Sequence, residues 1–264
     1  MQLKGKRALV TGAGKGIGRG IAMSLAKAGS ELFLHYRSDL GEAESLLAEI
    51  TQMGGIAHIF CADLANDNDR DAMFAEIKSL WDGLDIAVNN AGWDPGYMQF
   101  DTISPDLYYR LSDINIKNTL FCCLKEIKLM RNNQSGGSII NIGSVQQDTS
   151  VPGRTLYAMS KGAIHAITGQ LALETGTLGI RINNIAPGYI EVERMSKSPE
   201  FDLDEVVRDI PINRIGNVRD IGEFAVFLAS EASSFITGQT LTIDGGVSRK
   251  LARNCQFLNS HNVE

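Results

Sequence analysis

Seven short apolar runs, each parted from the next by a longer amphipathic or irregular stretch, restrict the fold of this chain more than any other feature. The runs are Arg7–Thr11, Glu31–Tyr36, Ala57–Cys61, Leu84–Asn89, Ser138–Ile142, Arg181–Ile185 and Thr240–Ile243. They are short, rich in Ile, Val and Leu, and bounded by polar residues, which marks them as strands. Between them apolar residues recur at helical spacing, as in Ile17, Ile21, Leu25 and Ala28. Helices are predicted at 17–28, 40–53, 67–81, 105–132, 154–177 and 218–230. Strands that alternate with helices run parallel, and a parallel sheet is covered on both faces. The expected fold class is therefore α/β, a doubly wound Rossmann-type sheet of seven parallel strands.

At about 150 residues per domain, 264 residues leave room for one large or two small domains. No hinge or compositional break divides the chain, so one domain over 1–246 is expected, followed by a polar, aperiodic tail at 247–264 that is either disordered or docked on a neighbouring subunit. Twenty-five Lys and Arg against 31 Asp and Glu give a net charge of −6 without any basic block, which argues against nucleic acid as a partner. No run approaches the roughly 18 apolar residues of a membrane span, and the run Ala8–Val10 behind the basic N-terminus is too short for a signal segment. A cytoplasmic protein is expected. The cysteines, Cys61, Cys122, Cys123 and Cys255, form no C-x-x-C and are expected to be small buried hydrophobes rather than metal ligands. The histidines, His35, His58, His165 and His261, are scattered and form no ligand set, so no metal is expected.

The first strand enters its helix through Thr11-Gly12-Ala13-Gly14-Lys15-Gly16-Ile17-Gly18. Glycines there let backbone N–H groups at the positive end of a helix approach a pyrophosphate. The spacing is neither G-x-G-x-x-G nor the G-K-[ST] of a P-loop, and glycine turns also serve packing alone. Thr11 with Gly12, Gly16 and Gly18 instead resembles the TGxxxGxG fingerprint of the short-chain dehydrogenase/reductase family. Asn89-Asn90-Ala91-Gly92 is similar to the family's NNAG, and Tyr157-Ala158-Met159-Ser160-Lys161 to its YxxxK. Ser144 lies 13 residues before Tyr157, and Asn115, Pro187-Gly188, Phe235–Gln239 and Asp244-Gly245-Gly246 follow in the family's order. The resemblance covers residues 3–246 and points to members like glucose 1-dehydrogenase and 3-oxoacyl-acyl-carrier-protein reductase.

That resemblance implies a nicotinamide dinucleotide held by Gly12, Lys15, Gly16, Ile17 and Gly18, by Tyr36, Arg37 and Ser38 at the second strand's end, and by Asp63 and Leu64 after the third. It also implies Asn90, Ala91 and Gly92 after the fourth strand, Pro187, Gly188 and Ile190 after the sixth, and Tyr157 with Lys161. Asp63 has a plainer alternative as N-cap of the next helix. A carboxylate at the end of the second strand favours NAD, whereas here Tyr36 is followed by Arg37 and Ser38, and Lys15 adds a cation, which favours NADP(H) with NAD(H) as the alternative.

Tyr157 and Lys161, four residues apart, share one face of a helix. A free tyrosine titrates near pH 10, and a neighbouring ammonium favours its phenolate. The expected roles are Tyr157 as acid/base, Ser144 as hydrogen-bond donor to the substrate oxygen, Lys161 as partner of Tyr157 and of the nicotinamide ribose, and Asn115 as holder of a water leading from Lys161 to solvent. A hydrolase reading of Ser144 with His165 fails, since no G-x-S-x-G surrounds the serine. Two positions depart from the family pattern. Val192 replaces the threonine that holds the carboxamide, leaving the backbone of Ile190, and Gly143 replaces a second serine, which is expected to loosen the backbone beside Ser144.

Substrate loops must follow strands, which selects 93–100, 145–154 and 189–210, with Trp93, Gln146, Arg154 and Tyr189 as contacts and Arg154 as partner of an anionic group. These loops are mostly polar, which suits a polyol, sugar or small carbonyl better than a steroid or acyl chain. The 189–210 stretch reads as a lid. The resulting expectation is an NADP(H)-dependent enzyme interconverting a secondary alcohol and a carbonyl, a homotetramer by resemblance. The alternatives are an NAD-dependent relative and a non-catalytic dinucleotide-binding regulator.

Overall fold

The structure is a computed structural model and describes residues 2–193 and 202–250. Seven parallel strands form one sheet in the order β3-β2-β1-β4-β5-β6-β7. They are β1 (Arg7–Val10), β2 (Glu31–Tyr36), β3 (Ala57–Cys61), β4 (Ile86–Asn89), β5 (Gly137–Ile142), β6 (Ile180–Pro187) and β7 (Thr240–Ile243). The helices are α1 (Gly16–Lys27), α2 (Leu40–Gln52), α3 (Asp67–Trp81), α4 (Pro105–Leu111), α5 (Asn118–Met130), α6 (Thr155–Thr175), α7 (Leu203–Asp209) and α8 (Val218–Ala229). The doubly wound α/β expectation holds, and the strand order reverses between β1 and β4, where such sheets open a crevice for ligands.

Side-chain alternation along each strand divides the interior into two apolar layers. Ala8, Val10, Leu32, Leu34, Ile140, Ile142 and Ile185 pack with α1, α2 and α8 on one face. Leu9, Phe33, Ala87, Ile139 and Ile182 pack with α3, α5 and α6 on the other. Burial of each large side chain contributes about 1.5–3 kcal/mol relative to exposure, so the register of every strand is set from both faces.

The largest departure from the sequence reading is in the helix predicted at 105–132. It starts on a capping bond from the Leu107 N–H to Ser104 Oγ at 3.2 Å, runs as α4, then widens into a π-helical turn over Ser112–Lys117 before α5. The extra residue in that turn places Asn115 inward, 1% exposed. Such π turns interrupt α-helices most often where a side chain has a job other than packing.

Cys122 and Cys123 are buried as expected, whereas Cys61 is exposed at the end of β3 with its thiol donating to the Arg37 carbonyl. Asn66, not Asp63, caps α3; Asp63 accepts the Ala65 N–H at 3.1 Å within its own turn. Residues 194–201 of the expected lid, with Arg194 and Met195, and residues 251–264 of the tail, with Cys255 and His261, lie outside the described residues. The start of the tail folds back: Val247–Arg249 form a 3-10 turn, and Lys250 pairs with Asp209 of α7 at 3.0 Å. No helix among the described residues is long and apolar enough to cross a membrane.

Candidate active site

The glycine turn is held by its neighbours rather than by itself. Thr11 Oγ1 donates to the Val88 carbonyl and accepts the N–H groups of Asn90 and Ala91, each at 3.0 Å. Asn90 returns two bonds from its amide to the Thr11 and Gly12 carbonyls, both 3.0 Å. The side chain expected to meet a dinucleotide therefore knits β1 to β4. Gly12 has φ +63, which a side chain would strain, and a Cβ at Gly18 would fall 2.1 Å from the Gly12 oxygen, so no other residue fits there.

Sequence reasoning missed two supports of this turn. His35, 2% exposed on β2, accepts the Gly12 N–H at Nδ1 (3.1 Å) while its Nε2 donates to the Ala62 carbonyl (2.9 Å). Burial pushes the imidazole pKa down to about 4, against the opposing pull of the Ala62 bond and of Asp63, so the ring is neutral and its tautomer is fixed. Arg19 reaches from α1 to the Gly14 and Glu42 carbonyls, tying the turn to α2. Neither was legible, because each partner lies more than one element away or on the main chain.

The N-terminus of α1 faces this turn uncovered. Lys15 in the N-cap position makes no side-chain capping bond and the first turn holds no acid. By contrast α2, α3, α4, α7 and α8 begin on Asp39, Asn66, Ser104, Asp202 and Asn217, each accepting an N–H. Donors at Gly16, Ile17 and Gly18 left uncapped beside flanking glycines fit a pyrophosphate. Lys15, Arg37 and Ser38 are exposed on the same side, at the carboxyl ends of β1 and β2. Leu64 is buried in the core and its carbonyl is taken by Arg70, leaving little of it for a ligand. Gly188 packs so closely on β7 that a Cβ would lie 2.6 Å from that of Asp244. Ile190 is buried, and Val192 packs over Gly16, with no polar atom to offer in place of the family's threonine.

Tyr157 and Lys161 lie together on α6, the ammonium 5.6 Å from the ring centre. Lys161 is 7% exposed and donates to the Ile142 carbonyl at 2.8 Å. Burial lowers its pKa to about 8, with Asp94 opposing, so it still carries its charge at pH 7. Ser144, two residues beyond Ile142, begins a 3-10 turn by accepting the Gln146 N–H at 3.2 Å. That capping bond uses a lone pair and leaves the hydroxyl proton for another acceptor. Asn115 is fully engaged: Oδ1 accepts the Trp93 N–H at 2.7 Å, and Nδ2 donates to the Trp93 carbonyl and to Ser160 Oγ. Ser160 in turn donates to the Tyr157 carbonyl at 2.8 Å, so Asn115 clamps the loop after β4 to the turn of α6 that carries Tyr157.

Two expectations about this region are corrected. Arg154 is not open for an anionic substrate: its guanidinium is 7% exposed and holds both oxygens of Asp94, at 2.7 and 2.8 Å. Gly143 is not a loosened position either. Its N–H donates to the Ile185 carbonyl at 2.7 Å, and a Cβ would lie 2.6 Å from the buried Asn184 amide, so glycine is demanded by packing. Of the remaining substrate candidates, Trp93 stacks under Arg110 at 4.5 Å, Gln146 accepts from Arg154 Nε at 3.3 Å, and Tyr189 is exposed on the loop after β6.

Comparison with known proteins identifies the family. Residues 12–248 match the family described as Enoyl-(Acyl carrier protein) reductase. The chain is 35% identical over 243 residues to an uncharacterized oxidoreductase, YgfF, of Escherichia coli, covering 90% of this chain and 98% of that one. It is 33% identical over 247 residues to glucose 1-dehydrogenase 2 of Bacillus subtilis, covering 93% and 96%. Among solved structures, a gluconate 5-dehydrogenase of Burkholderia cenocepacia in complex with NADP and tartrate superposes with a TM-score of 0.86 at 32% identity, covering 95% of this chain and 98% of that one. With a family model matching residues 12–248 and relatives 33–35% identical over 90% or more of its length, the chain belongs to the short-chain dehydrogenases/reductases, oxidoreductases of CH–OH groups that use NAD(H) or NADP(H).

Proposed function

We propose that this enzyme interconverts a secondary alcohol and a carbonyl on a small polar substrate, a polyol, sugar or hydroxy/keto compound, with NADP(H). The observation that carries the reading is the Tyr157 ring beside the buried, charged Lys161, at the carboxyl end of the sheet near Ser144. Tyr157 gives a proton to the substrate oxygen in reduction and takes it in oxidation. The Ser144 hydroxyl donates to that oxygen as it gains charge. Lys161 favours the phenolate and, through the carbonyl of Ile142, is held in place by β5. Asn115 fixes the Tyr157 turn against Trp93; the water expected on it has no free side-chain donor there, because its side chain is spent on Trp93 and Ser160 and its carbonyl accepts from Thr119. The bound nicotinamide supplies or accepts the hydride.

Arg37, Ser38 and Lys15 offer two cations and a hydroxyl to a 2′-phosphate where an NAD enzyme offers a carboxylate. The Burkholderia relative, solved with NADP, supports this choice, and its gluconate substrate supports a polar one. Gln146 and Asp94, polar residues on the loops after β5 and β4, suit a polar substrate better than a long apolar one. Apolar side chains exposed on α5 and α6, Phe121, Leu124 and Leu173, are the surface through which we expect the chain to form a homotetramer.

Following nicotinamide absorbance with a panel of polyols, aldoses and small ketones tests the activity. Turnover of none of them with either cofactor would leave a dinucleotide-binding regulator as the better reading. For the cofactor, Arg37→Ala is expected to raise KM for NADPH by about tenfold or more, the loss of one charge-assisted contact, while KM for NADH changes little. Equal effects on the two cofactors would favour NAD(H).

A further inference from the structure

Tyr157 has a second cation at its ring, and we propose that this residue, Arg154, is a positioning residue that stabilises the Tyr157 phenolate, with Asp94 setting how strongly it does so. The proposal rests on the reading of Tyr157 as the proton-transfer group. Arg154 Cζ lies 4.5 Å from the centre of the Tyr157 ring, nearer than the Lys161 ammonium at 5.6 Å. Helix formation does not call for an arginine here. Arg154 stands in the N-cap position of α6, where Ser, Thr, Asp or Asn is favoured, and makes no capping bond.

The guanidinium is fixed from several sides. Asp94 takes it with both oxygens, Gln146 Oε1 accepts from Nε, and the Tyr97 ring lies 5.2 Å from Cζ. The loop carrying Asp94 and Tyr97 is strapped to the start of α6 by the Met98 N–H on the Gly153 carbonyl at 3.0 Å. Burial opposes the charge on Arg154, but the bonds and attraction of Asp94, followed by Tyr157 and Tyr97, hold its pKa above the usual arginine value.

Among the described residues, the charged and titratable groups with contacts around the ring include Arg154 at the start of α6, Lys161 on it, and Asp94 and Tyr97 from the loop after β4. Ser144 and Gln146 after β5, and Asn115 from the π turn, bring no charge. Lys161 donates one of its three N–H bonds to the Ile142 carbonyl and keeps its charge, so Arg154 adds to its field at the ring. A cation within about 4–6 Å favours the ionised form of an acid by one to three pH units, and a buried setting screens it less than water does. The planar fork of arginine also holds the ring face, as a lysine would not. Asp94 acts in the opposite sense, as a carboxylate that neutralises part of the Arg154 charge.

The two partners therefore have effects of opposite sign. The test is ¹³C NMR of tyrosine Cζ in the full chain, with the Tyr157 resonance assigned by its loss in Tyr157→Phe. Arg154→Gln is expected to raise the midpoint of Tyr157 by about one pH unit or more, and Asp94→Asn to lower it. The double variant is expected to fall between wild type and Arg154→Gln. The acid limb of kcat/KM for alcohol oxidation should move in the same order. Unmoved midpoints, or shifts of the same sign in both single variants, overturn the proposal and leave Arg154 as a structural strap. If Arg154→Gln does not fold by circular dichroism, Asp94→Asn alone decides by the sign of its shift. Wild-type activity in Tyr157→Phe would remove the underlying reading, whereas an inactive Tyr157→Phe with unmoved midpoints sinks only this inference.

Discussion

Tyr157→Phe is expected to lower kcat/KM by about 10²–10⁴-fold in both directions, because it deletes the one group assigned to move the substrate's proton. The variant isolates chemistry from architecture. Phenylalanine keeps the ring that faces Arg154 at 4.5 Å, and the bond from Ser160 reaches the backbone carbonyl, which the substitution does not touch. The dinucleotide turn is built from Thr11, Asn90 and His35 on other elements, so the dissociation constant for NADPH, read by fluorescence, should stay within about twofold. Lys161 is a less informative target. Its removal would leave the Ile142 carbonyl without a buried donor, a cost of about 1–3 kcal/mol, beside Ser144. Activity in Tyr157→Phe at the wild-type level would refute the assigned acid/base.

The periodicity of the sequence carried the sheet, since strands buried on both faces read as continuous apolar runs, and β2, β3 and β7 have the bounds read from it. The glycine turn, Asn90-Ala91-Gly92, Ser144 and Gly188 likewise follow the carboxyl ends of strands, the end at which sheets of this order bind ligands, whereas Tyr157 and Lys161 lie on α6. Features that depend on a partner distant in sequence were not legible. Arg154 read as a free cation because Asp94 stands 60 residues away. Gly143 read as a loosened position because the Asn184 amide that fills its space belongs to the next strand. The π turn at Asn115 leaves the 3.6-residue pattern of α4 and α5 almost unchanged on either side, so periodicity read one helix. His35 read only as one of four scattered histidines without a ligand set, and only the position of the Gly12 N–H against Nδ1 gives it a role in the glycine turn.

Glu126 stands between Lys125 and Lys128 in the sequence, yet on α5 it faces the protein interior with no exposure at all. Its Oε2 accepts from Asn89 Nδ2 at 3.0 Å, and its Oε1 has no hydrogen-bond partner among the described residues. Burial pushes the carboxyl up to about 8 from 4.5, with the Asn89 bond opposing, so the native protein holds this proton at pH 7. The unfolded chain releases it near pH 4.5. Between pH 4.5 and 8 the native state therefore binds more protons, and stability must fall as pH rises through that window. At about 1.4 kcal/mol for each pH unit separating the two values, the loss is about 5 kcal/mol. Glutamine has the shape and the donor of the protonated acid, without its titration. Glu126→Gln should thus match wild type in Tm near pH 5 and exceed it by about 10 °C at pH 8. His35 and every other titrating group are common to both proteins, so the difference between the two Tm curves reports Glu126 alone. Curves that run parallel from pH 5 to 8 would show that the carboxyl is ionised in the native protein.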